Sequence, residues 1–229
     1  MSTKPKTILV LAYSISPVRG SEYAVGWNYV THMSGSHRLI VLYGLAGAHM
    51  GDVEEMAGVD PAQFANPVTF VPVLPDRLAR AANYLNRTGA LPYSFYFAYR
   101  RWHRQAAAVA RRLIETEQVD VIHYLCPIGY REPGYLWKLD KPYIWGPIGG
   151  MRGRPAQLFY SLDRKLGLVT YVRNFVNALQ FRLNPRLAKA IRRADVLLAN
   201  TSENHELIRD VYGRDAIVFP ENGVTSASP

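Results

Sequence analysis

The residues whose type and setting suit chemistry cluster in a few short stretches. His123 closes the segment Asp120-Val121-Ile122-His123-Tyr124. An imidazole at the end of a buried strand titrates near neutral pH and can move a proton or hold a reacting hydroxyl. A buried histidine bonded to backbone accounts for the residue equally well. Gly20, Ser21 and Glu22 follow the apolar run Ile8–Ala12. A strand feeding a glycine loop at a helix N-terminus is a common way to hold phosphate or a sugar hydroxyl; the alternative is Gly20 as a plain tight turn. Gly149 and Gly150 end the segment PYIWGPIGG, where a bare backbone can approach a ligand or turn with positive φ. Arg152 and Arg154 follow and suit a phosphate; solvated arginines on a turn are the plainer reading. Cys126, the one cysteine, has no identifiable base beside it and reads as a packing residue rather than a nucleophile. No cluster of His, Cys or carboxylates has metal-ligand spacing, so no metal site is expected.

These stretches need elements to position them. Strand-like runs are predicted at 7–12, 38–43, 68–73, 119–124, 142–146, 195–199 and 216–219. Helical patterns lie near 21–33, 52–57, 94–117, 131–138, 156–193 (broken) and 203–212. Ser21 is the expected N-cap of the first helix, and Glu22 sits in its first turn, where the helix dipole favours a carboxylate. Strands that are apolar throughout, separated by helices, predict an α/β fold: a Rossmann-like parallel sheet of about seven strands with helices on both faces. The expected extent is one domain over residues 1–224, with 225–229 (TSASP) as linker.

Composition narrows the partners. The chain has 229 residues, 27 Lys plus Arg against 18 Asp plus Glu, and a formal charge of +9. That excess favours an anionic partner: nucleic acid, an acidic membrane surface or a phosphorylated substrate. Nucleic acid ranks low, because no zinc finger, RRM-type aromatic–glycine signature or dense lysine tract is present. No apolar run is long enough to span a bilayer, and the lysines of MSTKPKT precede a short strand rather than a signal-peptide core. A single cysteine fits a reducing cytoplasm. A dehydrogenase is disfavoured, since only Gly20 and Gly26 follow the first strand and no G-x-G-x-x-G occurs. No P-loop signature occurs either.

The stretch from Pro75 to Arg112 is compositionally distinct. Phe95, Tyr99, Trp102, Ala106, Val109, Ala110 and Leu113 share an arc of about 100° at helical periodicity. Arg100, Arg104 and Arg111 lie opposite, with Arg101 and Arg112 on the flank. Such a helix either packs its aromatics on the sheet or lies at an anionic membrane interface. Residues 77–93 are expected to form a mobile, membrane-touching loop.

Four segments, PVRGSEYAVGW, VIHYLCPIGYREPGYLWKL, PYIWGPIGG and ENGV at 221–224, occur in the order in which the N-terminal domain of family 4 glycosyltransferases carries similar ones. The chain resembles that domain from about Ile8 to Val224. The resemblance implies the N-terminal, acceptor-side half of a two-domain GT-B fold. It places Gly20, Ser21, Glu22, Arg131, Gly149 and Gly150 on the donor/acceptor cleft, and gives His123 the catalytic position beside the transferred sugar or reacting hydroxyl. Glu221-Asn222-Gly223-Val224 resembles the hinge to a second domain.

The family's paired glutamates, eight positions apart, lie in that second domain, and no two glutamates here have that spacing. Relatives often carry a third glycine where Met151 stands. The expectation is therefore a truncated or naturally isolated acceptor-binding domain, inactive alone. The whole enzyme would move a sugar from a nucleotide-sugar donor to a glycan or lipid-linked acceptor with retention and without a metal or other cofactor. Relatives that act on lipid-linked or polysaccharide acceptors at the cytoplasmic membrane face make peripheral contact through 75–112 a matching expectation.

Overall fold

The computed structural model describes residues 4–44, 54–151 and 164–221. Strands β1 (Thr7–Ala12), β2 (Arg38–Tyr43), β3 (Val68–Pro72), β4 (Val121–Cys126), β5 (Tyr143–Ile148), β6 (Val196–Ala199) and β7 (Ile217–Val218) form one sheet in the order β3-β2-β1-β4-β5-β6-β7. The helices are α1 (Glu22–Met33), α2 (Glu54–Ala57), α3 (Arg77–Arg87), α4 (Ser94–Thr116), α5 (Arg164–Leu183), α6 (Pro185–Arg193) and α7 (Ser202–Tyr212). This is the predicted α/β, Rossmann-like parallel sheet. Strand order reverses around β1, which pairs in parallel with β2 on one side and β4 on the other. Contacts divide the chain into two compact units, Met1–Pro127 with Gly134–Ile144, and Ile128–Pro133 with Trp145–Pro229.

In the first unit β1 is apolar from Ile8 to Ala12 because both of its faces are covered there. Ile8, Val10 and Ala12 join Leu39, Val41 and Leu125 in a core closed by Val25 and Val30 of α1. Tyr13, Tyr99, Trp102, His103 and Tyr124 form an aromatic cluster of edge-on, tilted and stacked rings. Trp102 is fully buried and donates its indole N–H to the Val73 carbonyl at 2.7 Å. The aromatic arc of α4 thus packs inward at Tyr99 and Trp102, and Arg100, Arg104 and Arg111 are exposed. No helix among the described residues is long and apolar enough to cross a membrane.

The second unit is built on β6, β7 and α5–α7, with Phe181, Leu187, Ile191, Leu197 and Ile208 buried. The expected break in the long helical pattern falls at Asn184, whose side chain caps α6 by accepting from the Arg186 and Leu187 amides ahead of Pro185. Glu132 is buried against the Arg186 guanidinium in a two-pronged pair at 3.1 and 2.5 Å.

Several expectations change. Residues 77–87 are a helix, not a loop: the Asp76 carboxylate caps it by accepting from the Ala79 amide at 2.9 Å, and Ala79 and Asn83 face inward one turn apart. Its many arginines obscure that short inward stripe in the sequence. The helix predicted at 131–138 reduces to a single 3-10 turn, Leu136–Lys138, because Pro133 and Gly134, with φ +59, interrupt the chain just before it. The strand predicted at 119–124 runs instead from Val121 to Cys126. Residues 152–163 and 222–229, including Arg152, Arg154, Asn222, Gly223 and Val224, lie outside the described residues.

Candidate functional site

The connection from β1 to α1 is braced along its length. Ser16 turns the chain by accepting from the amides of Val18 and Arg19, each at 3.2 Å, and donates its hydroxyl to Glu55 of α2 at 2.6 Å. Arg19 joins the same carboxylate through Nε at 2.5 Å and lies over the Tyr23 ring. The Ser16 and Arg19 bonds hold the Glu55 carboxyl below its ordinary pKa. Arg19 is therefore engaged by Glu55 rather than held out to an anion.

Beyond this brace the backbone is strained. Ser21 has φ 58 and ψ −136, a region that costs a non-glycine residue roughly 1–3 kcal/mol. Its carbonyl accepts from the amides of Ala24 and Val25, as an N-cap carbonyl should. Its hydroxyl makes no capping bond, contrary to the side-chain cap expected there. The positive φ turns the side chain away from the N2 and N3 amides that a serine cap reaches with extended geometry. Gly20 precedes it with nothing within 4 Å of where a Cβ would stand. Gly26 lies one turn inside α1, where a Cβ would meet the Ser14 carbonyl at 2.7 Å, so the helix needs a glycine there to pack on the loop.

His123 is the third residue of β4 rather than its last, paired in register with Val10 and only 2% exposed. Its Nδ1 lies 2.8 Å from the Tyr29 hydroxyl of α1, and the two rings meet edge-on. Burial raises the Tyr29 phenol well above its ordinary pKa, so it stays neutral beside the imidazole. Tyr29 thus fixes the ring, a role that its place among apolar helix residues gave no cause to suspect. The ladder between β1 and β4 slips after Leu11, so that Ala12 pairs with Cys126 and Leu125 bulges. Cys126 is fully buried, and its thiol bonds the Ser14 carbonyl at 3.2 Å. Burial pushes that thiol up to about 12, with the Glu22 carboxylate adding to the effect, which fits a packing residue.

In the second unit Gly149 is enclosed. Its amide donates to Ile128 at 2.8 Å, and its carbonyl accepts from Tyr130 at 3.3 Å. A Cβ would stand 2.4 Å from the Asn200 side-chain nitrogen. Asn200 in turn accepts from Asn204 at 2.5 Å and donates to Glu221 at 3.5 Å. This amide–carboxylate chain at the carboxyl end of β6 escaped sequence reasoning, although Glu221 opens the hinge-like ENGV. Asn204 Oδ1 is buried without a hydrogen-bond partner among the described residues. Gly150 has φ +74 and open space around it. Arg131 bonds Asn177 of α5 at 2.6 Å and lies over the Tyr130 ring.

The predicted site residues therefore fall into two groups. Gly20, Ser21, Glu22 and His123 belong to the first unit, and Arg131, Gly149 and Gly150 to the second. Among the described residues no three His, Cys, Asp or Glu side chains are grouped as metal ligands.

Comparison with protein families finds no match, and comparison with curated proteins finds none. Comparison with solved structures does. The chain is similar to the crystal structure of a UGT transferase from Siraitia grosvenorii in complex with UDP, with a TM-score of 0.54 and 11% sequence identity over 97% of this chain. It spans about half of that structure, 53% of its length. At such identity the likeness is one of fold: this chain has the α/β architecture found within that transferase structure.

Proposed function

We propose that this chain is the acceptor-side domain of a glycosyltransferase, which moves a sugar from a nucleotide-sugar donor to a glycan or lipid-linked acceptor with retention of configuration. The β1–α1 connection carries the proposal. A braced loop, an open Gly20 and a strained Ser21 deliver the N-terminus of α1 at the carboxyl end of the strand where sheet order reverses, which is where open parallel sheets bind ligands. Support also comes from three of the four glycosyltransferase-like segments, PVRGSEYAVGW, VIHYLCPIGYREPGYLWKL and PYIWGPIGG: each runs along or follows the end of a strand of this parallel sheet. The likeness to a structure solved with UDP agrees with a nucleotide-sugar donor.

In this reading the N-terminus of α1 receives the donor's phosphate or sugar, as helix N-termini receive anions. Glu22 stands in the same turn. Its carboxylate repels phosphate, so its role is to accept hydrogen bonds from sugar hydroxyls. His123, oriented by Tyr29, supports the reacting hydroxyl or the transferred sugar through its imidazole. In the second unit, Gly150 leaves its backbone open and Arg131 carries positive charge. Most donor contacts belong to a second domain, and the acceptor contacts lie here. Residues 75–112, with exposed Leu78, Tyr84, Tyr93 and Phe97 among arginines, are the surface by which the domain meets an anionic membrane carrying its acceptor.

The test is sugar transfer from a panel of labelled nucleotide sugars to a lipid extract. It compares residues 1–229 with the same residues extended by a partner donor domain. Transfer by the extended protein only is expected, and robust turnover by residues 1–229 alone would refute the half-site reading. His123→Ala in the extended enzyme should lower kcat about 10²-fold. Since His123 is buried, His123→Gln with a matched melting temperature serves as the check, and an unchanged kcat there reduces His123 to a core residue.

A further inference from the structure

We infer that the pocket on α4 between Phe97, Arg100, Arg101 and Arg104 binds the phosphate group of an anionic lipid. A cavity of about 160 Å³ is lined by Phe97, Arg100, Arg101 and Arg104. That is well below the roughly 300 Å³ at which pockets begin to enclose a whole organic ligand, and it suits a small anion. Arg100 and Arg104 are one helical turn apart, and the Nε of each donates to the same Tyr135 hydroxyl at 3.1 Å. One phenol oxygen therefore gathers two like charges, and Lys138 lies over the Tyr135 ring beside them. Arg101, on the same wall, is paired with the Asp76 carboxylate at 2.5 Å. From Arg77 to Ile114 the sequence carries eight arginines and no carboxylate. Guanidinium pairs held at a fixed spacing match the oxygens of a phosphate.

The surroundings identify the source of that phosphate. Phe97, on the pocket wall, is 57% exposed, and Tyr93, one turn before it, is 78% exposed, with Leu91 and Tyr96 also exposed. An apolar rim beside a phosphate-sized basic pocket suits a headgroup at the edge of a bilayer, where aromatic rings sit between headgroups and acyl chains. A phosphate free in solution gains nothing from that rim. All of these residues belong to one compact unit. The inference deepens the membrane contact proposed above for residues 75–112 and rests on it, not on sugar transfer. Vesicle binding can therefore be tested whether or not transfer is ever observed.

The experiment is co-sedimentation of the intact chain with phosphatidylcholine vesicles, with and without phosphatidic acid, at fixed salt. Binding should appear with phosphatidic acid, and the double change Arg100→Gln with Arg104→Gln should weaken it about tenfold or more. Changing Arg111 and Arg112 to Gln removes the same charge farther along α4 and should weaken it less than about twofold. Melting temperatures of both variants confirm that the fold is retained. Equal losses in the two variants would reduce the effect to diffuse attraction, and no preference for phosphatidic acid would end the proposal. Titration with inorganic pyrophosphate separates the other source: binding of pyrophosphate without vesicle binding overturns the lipid assignment.

Discussion

Gly20 after β1 and Gly149 after β5 read alike in the sequence, yet the fold uses them in opposite ways. After β5, Gly149 has both backbone groups bonded to residues 128–130 and a side chain pressed against the place of its missing Cβ. After β1, nothing stands near Gly20, and the unusual backbone falls on Ser21, which has a side chain. A glycine in contact on every side answers to packing. An open glycine beside a strained neighbour answers to something the folded chain does not itself supply. The contrast makes the first loop the better candidate for ligand contact.

The largest effect should come from forcing the two glycines to behave alike. Gly149→Ala would put a Cβ 2.4 Å from the nitrogen of an Asn200 side chain whose oxygen accepts from Asn204. Overpacking of this kind costs about 1–3 kcal/mol, or a few degrees in Tm for a chain of this length. Replacing Asn200 with Gly in the Gly149→Ala background should recover part of that loss, as expected for residues in contact. Gly20→Ala meets no atom and should leave stability unchanged or raise it by about 0.5 kcal/mol. Any loss of sugar transfer when Gly20→Ala is placed in the extended enzyme would then come from the ligand side. Equal destabilisation of the two variants in thermal melts would erase the distinction.

A smaller effect is expected at Ser21. Glycine adopts φ 58 without steric penalty, so Ser21→Gly should stabilise the chain by about 1 kcal/mol, whereas Ser21→Ala keeps the strain. The hydroxyl makes no capping bond, so its removal carries little cost of its own. If the strain positions the loop for a ligand, Ser21→Gly should stabilise this chain and lower transfer in the extended enzyme. A melting temperature for Ser21→Gly no higher than that of Ser21→Ala would show the strained conformation to be unimportant.

Much of this fold is legible in the sequence because its strands are apolar without interruption, as burial on both faces demands, and because helical patterns separate them. What escaped notice was set by contacts distant in sequence. α3 is a helix whose inward stripe is only Ala79 and Asn83, hidden among arginines, although Asp76 at its start was a readable cap. His123 was placed at a strand end because the apolar run falters at the imidazole and Tyr124. The strand continues because Ala12 and Tyr13 offer Cys126 a pairing edge, which no local pattern reveals. Tyr29 and Asn200 were missed for the same reason, since each gains its meaning from a partner that folding brings to it. The residue types of the candidate site could be read in advance; their partners could not.

The smallest predicted effect tests the brace on the first loop. Glu55 has its pKa lowered first by the Ser16 hydroxyl and then by Arg19. A carboxyl lowered in the folded state contributes its stabilisation in full above its unfolded value, about 4.3. That contribution fades as pH falls through the lower folded value. The brace should therefore be intact at neutral pH and loosen below about pH 4. Because the pair lies at the surface, the readout is local: the amides of Val18 and Arg19, which bond Ser16, should lose hydrogen-exchange protection in acid, corrected for intrinsic rates, while those of β1 keep theirs. Glu55→Gln should show the loosened pattern at every pH. If Val18 and Arg19 were equally protected in Glu55→Gln and in the parent chain, the loop would owe its shape to Ser16 and the backbone alone. The openness at Gly20 and the strain at Ser21 would then need no support from α2.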